Sequence, residues 1–209
     1  MKQAAKIASE LLRIEAVRLR PDDPFTWASG IKSPIYTDNR VALAYPSVRD
    51  LIRDGLAELT QQYENVDAVV GVATAGIPHA ALVGDKLGIP MAYVRSSAKS
   101  HGRQNRIEGR LTAGDRVIVI EDLISTGGSS LEAVEALREA GIVVVATLAI
   151  FTYGFDAARA RFAEAKCPLQ TLSDYPTLID VAKQNGSVDD SQLSALSDWR
   201  TATSEALAK

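Results

Sequence analysis

VIVIEDLISTGGSS, residues 117–130, sets four branched apolar residues against two adjacent acids and then a turn of hydroxyls and glycines. An unbroken run of Val and Ile, without polar alternation, predicts a strand covered on both faces. Glu121 and Asp122 are expected where that strand ends. Gly127 and Gly128 break the pattern, and the Leu, Ala, Val and Glu that follow predict a helix over about 129–140 with Ser129 or Ser130 as its N-cap. The same succession recurs on both sides. DAVVGV (67–72) precedes a helix over about 76–87, MAYV (91–94) precedes a polar loop, and VVVATLAIF (143–151) precedes a helix over about 156–165. Regular strand–helix succession predicts an α/β fold with a central parallel sheet flanked by helices, and such sheets bind ligands outside the carboxyl ends of their strands.

Further out, residues 1–19 read as an amphipathic helix. Glu10 and Glu15 interrupt the apolar positions, unlike a signal or transit peptide. A second helix fits about 46–63, with Pro46 in its first turn, and helices are expected from about Asp174 onward. The 209 residues are enough for one domain, 1–209, with a full core. At 46% hydrophobic and 23% charged the composition is that of a globular protein. A formal net charge of -3 gives no general basic field for nucleic acid. No apolar tract is long enough to span a bilayer, so a cytoplasmic protein with neither nucleic-acid nor membrane partner is expected. The single cysteine, Cys167, excludes an internal disulfide and a cysteine-based metal site, and reads as a small hydrophobe.

The turn after the acidic pair has the makings of an anion cradle. A helix N-terminus preceded by glycines offers unpaired N–H groups, and missing side chains let the backbone come close. No Lys follows the glycines as in a Walker A loop, and no GxGxxG is present. Carboxylates beside a phosphate cradle suit a ligand that also carries hydroxyls and develops positive charge nearby. A ribose 5-phosphate has both.

VIVIEDLISTGGSS resembles the phosphoribosyl pyrophosphate-binding motif of the type I phosphoribosyltransferases. The resemblance implies that Glu121 and Asp122 bind ribose hydroxyls and favour an oxocarbenium-like transition state. It also implies that Leu123, Ile124, Ser125, Thr126, Gly127, Gly128 and Ser129 line the phosphoribosyl site. GVATAGIP (71–78) would be the pyrophosphate loop, with Gly76 allowing close backbone approach to the ligand. The non-proline cis bond that the family often carries would fall between Ala73 and Thr74. RSSAKSHGRQNRIEG (95–109) concentrates Arg95, Lys99, Arg103 and Arg106 against Glu108, with few apolar anchors. By resemblance it is a loop that closes over the site, where Lys99 and His101 act on the departing pyrophosphate and Arg95 and Arg103 add binding charge. His79, in GIPHAALV, reads as structural or surface.

FTWASGIKSPIYTDNR (25–40) resembles the N-terminal hood of the orotate phosphoribosyltransferases. The motifs run from about 10 to 155 in the family's order. The division implied is a hood over about 1–45, a core over about 46–165 and peripheral C-terminal helices. The activity implied is transfer of ribose 5-phosphate from phosphoribosyl pyrophosphate to orotate, giving orotidine 5'-phosphate and pyrophosphate in pyrimidine synthesis. Mg²⁺ would be held mainly through the substrate pyrophosphate, with no residue assigned as a metal ligand, and Ser125 and Lys32 would meet the orotate. A homodimer is implied, with loop 96–109 reaching the other subunit. Where the better-known enteric form has four basic residues, this chain has Ala28, Ala75, Ser96 and Tyr153, leaving Lys32, Arg40 and the loop arginines to compensate. A purine phosphoribosyltransferase would share the sugar-phosphate motif and differ in the hood. A non-catalytic sensor of phosphoribosyl pyrophosphate would need neither Lys99 nor His101.

Overall fold

The computed structural model describes residues 2–26, 30, 32–95 and 106–207. The chain runs α1 (Gln3–Arg13), β1 (Val17–Leu19), β2 (Phe25–Thr26), β3 (Lys32–Ser33), β4 (Ile35–Thr37), a 3-10 helix (Asn39–Ala44) and α2 (Pro46–Thr60). It continues through β5 (Ala68–Val72), α3 (Gly76–Leu87), β6 (Met91–Val94), β7 (Ile107–Glu108), β8 (Arg116–Ile124), α4 (Gly128–Glu139) and β9 (Val143–Thr152). It ends with α5 (Asp156–Glu164), β10 (Leu169–Asp174), α6 (Tyr175–Gln184) and α7 (Asp190–Leu207). No described helix is long and apolar enough to cross a membrane.

The main sheet is ordered β10-β9-β8-β5-β6-β7 and is parallel except for β7, which pairs antiparallel with β6. Its Val and Ile runs are covered on both sides, as unbroken apolar strands require. Ile118, Ile120, Leu148 and Phe151 join the side chains of α1, α2 and α6 in one core. Val117, Val119 and Ala149 join those of α4 and α5 in the other. Leu169–Asp174, too polar to be anticipated as a strand, forms the edge beside β9. Ahead of the sheet, β1 pairs with β4 and β2 with β3, and the guanidinium of Arg18 stacks over Phe25 and Tyr36 at 5.5 and 5.0 Å.

Three expectations are corrected. The strand does not end at the acids: β8 stays paired past them, Leu123 with Phe151 and Ile124 with Thr152, because β9 is long enough to carry the ladder on. Neither Ser129 nor Ser130 caps α4. The cap is Gly127, at φ 79°, and Ser130 lies inside the helix with its hydroxyl turned to the sheet. Gly76 makes no room for a ligand, since a Cβ there would stand 2.3 Å from the Ile120 carbonyl oxygen. It brings α3 against β8. Both neighbours in that clash are backbone, so Gly76→Ala is expected to cost about 3 kcal/mol or more, a Tm drop of roughly 6–12 °C for a chain of this size. Thermal denaturation checks this, and an unchanged Tm would show that α3 and β8 part without cost.

Candidate functional site

The chain passes from β5 outward through β6 and returns on the other side of β5 as β8, so the strand order switches direction between β5 and β8. That is where open parallel sheets bind ligands. The segment after β5, with a cis peptide at Ala73–Thr74 as the family resemblance implies, and the turn after β8 therefore meet at one edge. Val72, Ala73, Arg95, Arg106, Ser129 and Glu132 line a shared small cleft there. A wider groove of about 710 Å³ runs between α4 and α5, but it carries Glu132, Glu135, Glu139 and Glu164 against Arg138 and Arg161. Such a lining repels a polyanion, and the chemistry is placed at the strand ends.

The turn is built as a set of donors. Among the described residues, none of the backbone N–H groups from Ser125 to Ser130 has a protein acceptor, whereas Leu131 N–H already returns to the Gly127 carbonyl at 3.0 Å. Six consecutive free donors leading into a helix N-terminus suit an anion. Gly127 is fixed by its left-handed backbone and by Phe162, which a Cβ would meet at 2.6 Å; at Gly128 a Cβ would meet nothing within 4 Å. One glycine shapes the turn, and the other leaves its outer side open. Leu123 and Ile124 were expected to line the site, but their side chains pack into the protein. Ile124 is fully buried, and its carbonyl accepts from Tyr153 N–H and Thr152 Oγ1.

The two acids differ in surroundings. Glu121 is 5% exposed; its Oε2 accepts from Ser130 Oγ at 3.1 Å and its Oε1 from Asp122 N–H at 3.0 Å. Burial first, then the neighbouring Asp122 charge, pushes its carboxyl up to about 8. Asp122 is half-buried and also raised, chiefly by burial, while hydrogen bonding with Glu121 and with nearby backbone N–H groups, and last the charge of Arg40, pull it back. Its backbone carbonyl accepts from Asn39 Nδ2 at 2.7 Å, tying the 3-10 helix to β8. Asn39 and Ser130 are site residues that sequence reasoning missed. Asn39 bonds a partner 83 residues along the chain, which no local pattern marks, and Ser130, read as a cap, is spent instead on Glu121 nine residues before it.

Arg40 is fixed beside this point: Nε and Nη2 fork onto Asp38 at 2.6 and 3.0 Å, with most of the side chain exposed. Lys32 is exposed on β3 and donates to Thr26 Oγ1 at 2.7 Å, within the hood and with no bond to the 125–130 turn. Arg95 and Arg106 stand at the two roots of the basic loop, where Arg95 N–H donates to the Arg106 carbonyl, Arg95 faces Glu108 at 3.6 Å and Arg106 faces Glu132 at 3.6 Å. Ser96, Lys99, His101 and Arg103 lie outside the described residues, as does Ala28. Tyr153 is 3% exposed and gives its hydroxyl to Thr37 Oγ1 at 3.1 Å, so no cation stands at that position. Ala75 is the N-cap residue of α3. His79 is buried in α3 with its imidazole pushed down to about 4 by burial, a structural position and not a surface one.

The raised carboxyl of Glu121 has a measurable sign. Below pH 4.5 both folded and unfolded chains keep its proton; between 4.5 and about 8 only the folded chain does, so rising pH favours unfolding; above about 8 the loss is complete. His79 acts in the opposite sense but only between 6.5 and about 4. From pH 6.5 to 8 the Tm of the ligand-free protein is therefore expected to fall, and Glu121→Gln is expected to flatten that slope. Equal slopes in the two proteins would rule out Glu121 as its source.

Comparison with known proteins agrees with this geometry. A family model described as the phosphoribosyl transferase domain matches residues 43–182. The chain is 62% identical over 198 residues to an orotate phosphoribosyltransferase of Staphylococcus saprophyticus, covering 94% of this chain and 98% of that one. Among solved structures, it superposes on the orotate phosphoribosyltransferase of Aeropyrum pernix with a TM-score of 0.76 at 31% identity, covering 88% and 99% of the two chains. It also superposes on that of Mycobacterium tuberculosis in complex with 5-phospho-α-D-ribosyl 1-diphosphate, with a TM-score of 0.65 at 28% identity over 84% and 98%. A strand-end cradle of free amides beside two carboxylates, at the switch point of a parallel sheet, and a relationship of this extent place the chain in the phosphoribosyltransferase family, among the orotate phosphoribosyltransferases.

Proposed function

We propose that this chain transfers the ribose 5-phosphate of phosphoribosyl pyrophosphate to orotate, with the 5'-phosphate on the amides of 125–130 and the ribose against Asp122 and Glu121. The observation that carries the site assignment is the run of six unpaired N–H groups that is separated from the acidic pair by two residues. The bond from the anomeric carbon to pyrophosphate oxygen breaks, positive charge develops on the sugar, and the bond to the orotate ring nitrogen forms. Asp122 lies in a half-buried place where a carboxylate acts on that charge more strongly than in water. Glu121, held by Ser130 and by the Asp122 N–H, fixes the neighbouring backbone and so the placing of Asp122.

Lys99 and His101 meet the departing pyrophosphate, helped by Arg95 and Arg103, and closure of their loop keeps water from the activated sugar. Lys32 and Ser125 are the donors assigned to orotate, and Arg40, preset by Asp38, is the cation of the described hood that acts on Asp122. The carboxylate of Asp122 is a hard oxygen donor that suits Mg²⁺, which would be held chiefly by the substrate's own oxygens. The chemistry it would supply there is neutralisation of pyrophosphate charge. We assign the chain to one domain, working as a cytoplasmic homodimer in pyrimidine synthesis, with loop 96–109 serving the neighbouring site.

The test follows loss of orotate absorbance on addition of phosphoribosyl pyrophosphate and Mg²⁺, with adenine, hypoxanthine and uracil run separately by product chromatography. Turnover of orotate alone is expected. If another base were consumed in its place, the sugar-phosphate site would stand and the base assignment would fall. Binding of the phosphoribosyl ligand with no turnover of any base would overturn the enzymatic reading.

A further inference from the structure

The helix α7 is bonded both to the hood, which the proposed reaction sets over the base, and to the segment after β9. On one side, Trp199 Nε1 donates to the Lys32 carbonyl in β3 at 3.1 Å, and Gln192 Nε2 donates to Asp22 Oδ2 at 2.7 Å. On the other, Arg200 forks onto the segment after β9, with Nε on the Tyr153 carbonyl at 3.1 Å and Nη2 on the Gly154 carbonyl at 2.8 Å. Ser204 closes a third link, accepting from Asp156 N–H at 3.1 Å and donating to Asp156 Oδ2 at 3.2 Å.

The hood and this segment meet through Tyr153. Its ring stacks on Phe155 at 5.5 Å, meets Phe151 and Trp199 edge-on at 5.8 and 6.3 Å, and its hydroxyl reaches Thr37 Oγ1. Thr37 lies two residues before Asn39, which holds the Asp122 carbonyl. A continuous path of bonded groups therefore runs from α7 through Tyr153 and the hood to the acidic strand. Main-chain carbonyls are the acceptors of Trp199 and of Arg200, so what these side chains fix is backbone position. Backbone position is what a base recognised by main-chain and hood donors depends on.

We propose that Trp199 and Arg200 are positioning residues for the nucleobase: α7 sets the spacing between the hood and the segment after β9, and with it the affinity for orotate. This rests on the orotate reading given above. The sugar-phosphate cradle hangs on β8 and α4 and has no direct bond to α7 among the described residues, so the effect falls first on the base.

Trp199→Phe keeps the aromatic packing and removes the N–H, and Arg200→Met keeps much of the length and removes the fork. For each, KM for orotate and for phosphoribosyl pyrophosphate is measured separately, with direct calorimetric binding of phosphoribosyl pyrophosphate alone and a Tm. The expected result is a rise of about five- to tenfold in KM for orotate, the effect of losing one net hydrogen bond, with KM and Kd for phosphoribosyl pyrophosphate changed by less than about twofold. Equal changes for both substrates, or no change in either, would overturn the proposal. If one variant does not fold, the other decides by the same split. Failure of the underlying reading is seen separately, because the unaltered protein would then not consume orotate at all.

Discussion

Asp122→Asn is expected to lower kcat by about 10²–10³-fold, the loss that follows removal of one preorganised charge contact at a transition state. The substitution keeps size and shape and removes only the charge. Its effect on the fold should be the reverse of its effect on catalysis. The Asp122 carboxyl is raised by burial, so ionising it costs the folded protein stability that an amide does not cost. The variant is therefore expected to melt at the same temperature as the parent or higher while turning over far more slowly. This opposition is common where a site is built for function against stability. Steady-state kinetics and a melting curve on one preparation check both halves, and near-normal turnover would remove Asp122 from the catalytic assignment.

Lys99→Ala should reduce turnover by about a hundredfold or more, since the leaving pyrophosphate would lose a direct cation at the moment the anomeric bond breaks. The melting temperature should not change, because the sequence between Arg95 and Arg106 is polar, with few apolar residues to spend on a core. The roots of that loop are already fastened by the pairing of β6 with β7. If the loop serves the neighbouring subunit, mixing Lys99→Ala with Asp122→Asn protein restores activity. One of the two sites in each mixed dimer then combines an intact loop with an intact acid. No recovery after subunit exchange has been verified would place Lys99 in its own subunit's site.

The parts of this protein that were legible in sequence are those whose signal is local. Continuous Val and Ile in β5, β8 and β9 announced buried parallel strands, and the hydroxyl-glycine turn announced the cradle. The edge strand β10, LQTLSD, was missed because an edge strand with one poorly covered face has no need of an apolar run. Carboxylates looked like a strand end because a buried acid is costly. What carries β8 past them is the partner strand, which sequence position does not reveal. The serines looked like caps for a good local reason, yet Ser130 is used on Glu121 and Gly127 makes the turn by its left-handed backbone. Asn39, Trp199 and Arg200 could not have been picked out, since each acts on a backbone group about 50 to 170 residues away.

The free amides of residues 125–130 also define how the empty site behaves in time. A backbone N–H that has no protein acceptor is open to solvent proton exchange without any unfolding event, whereas β8 is paired with β9 up to Ile124 and, over Val117–Ile120, with β5 as well. The ligand-free protein thus carries a sharp boundary in exchange rate within one short peptide, slow up to the end of the strand and fast beyond it. A phosphate seated on the turn would erase that boundary, making deuterium uptake by this segment a direct record of occupancy even when no chemistry follows.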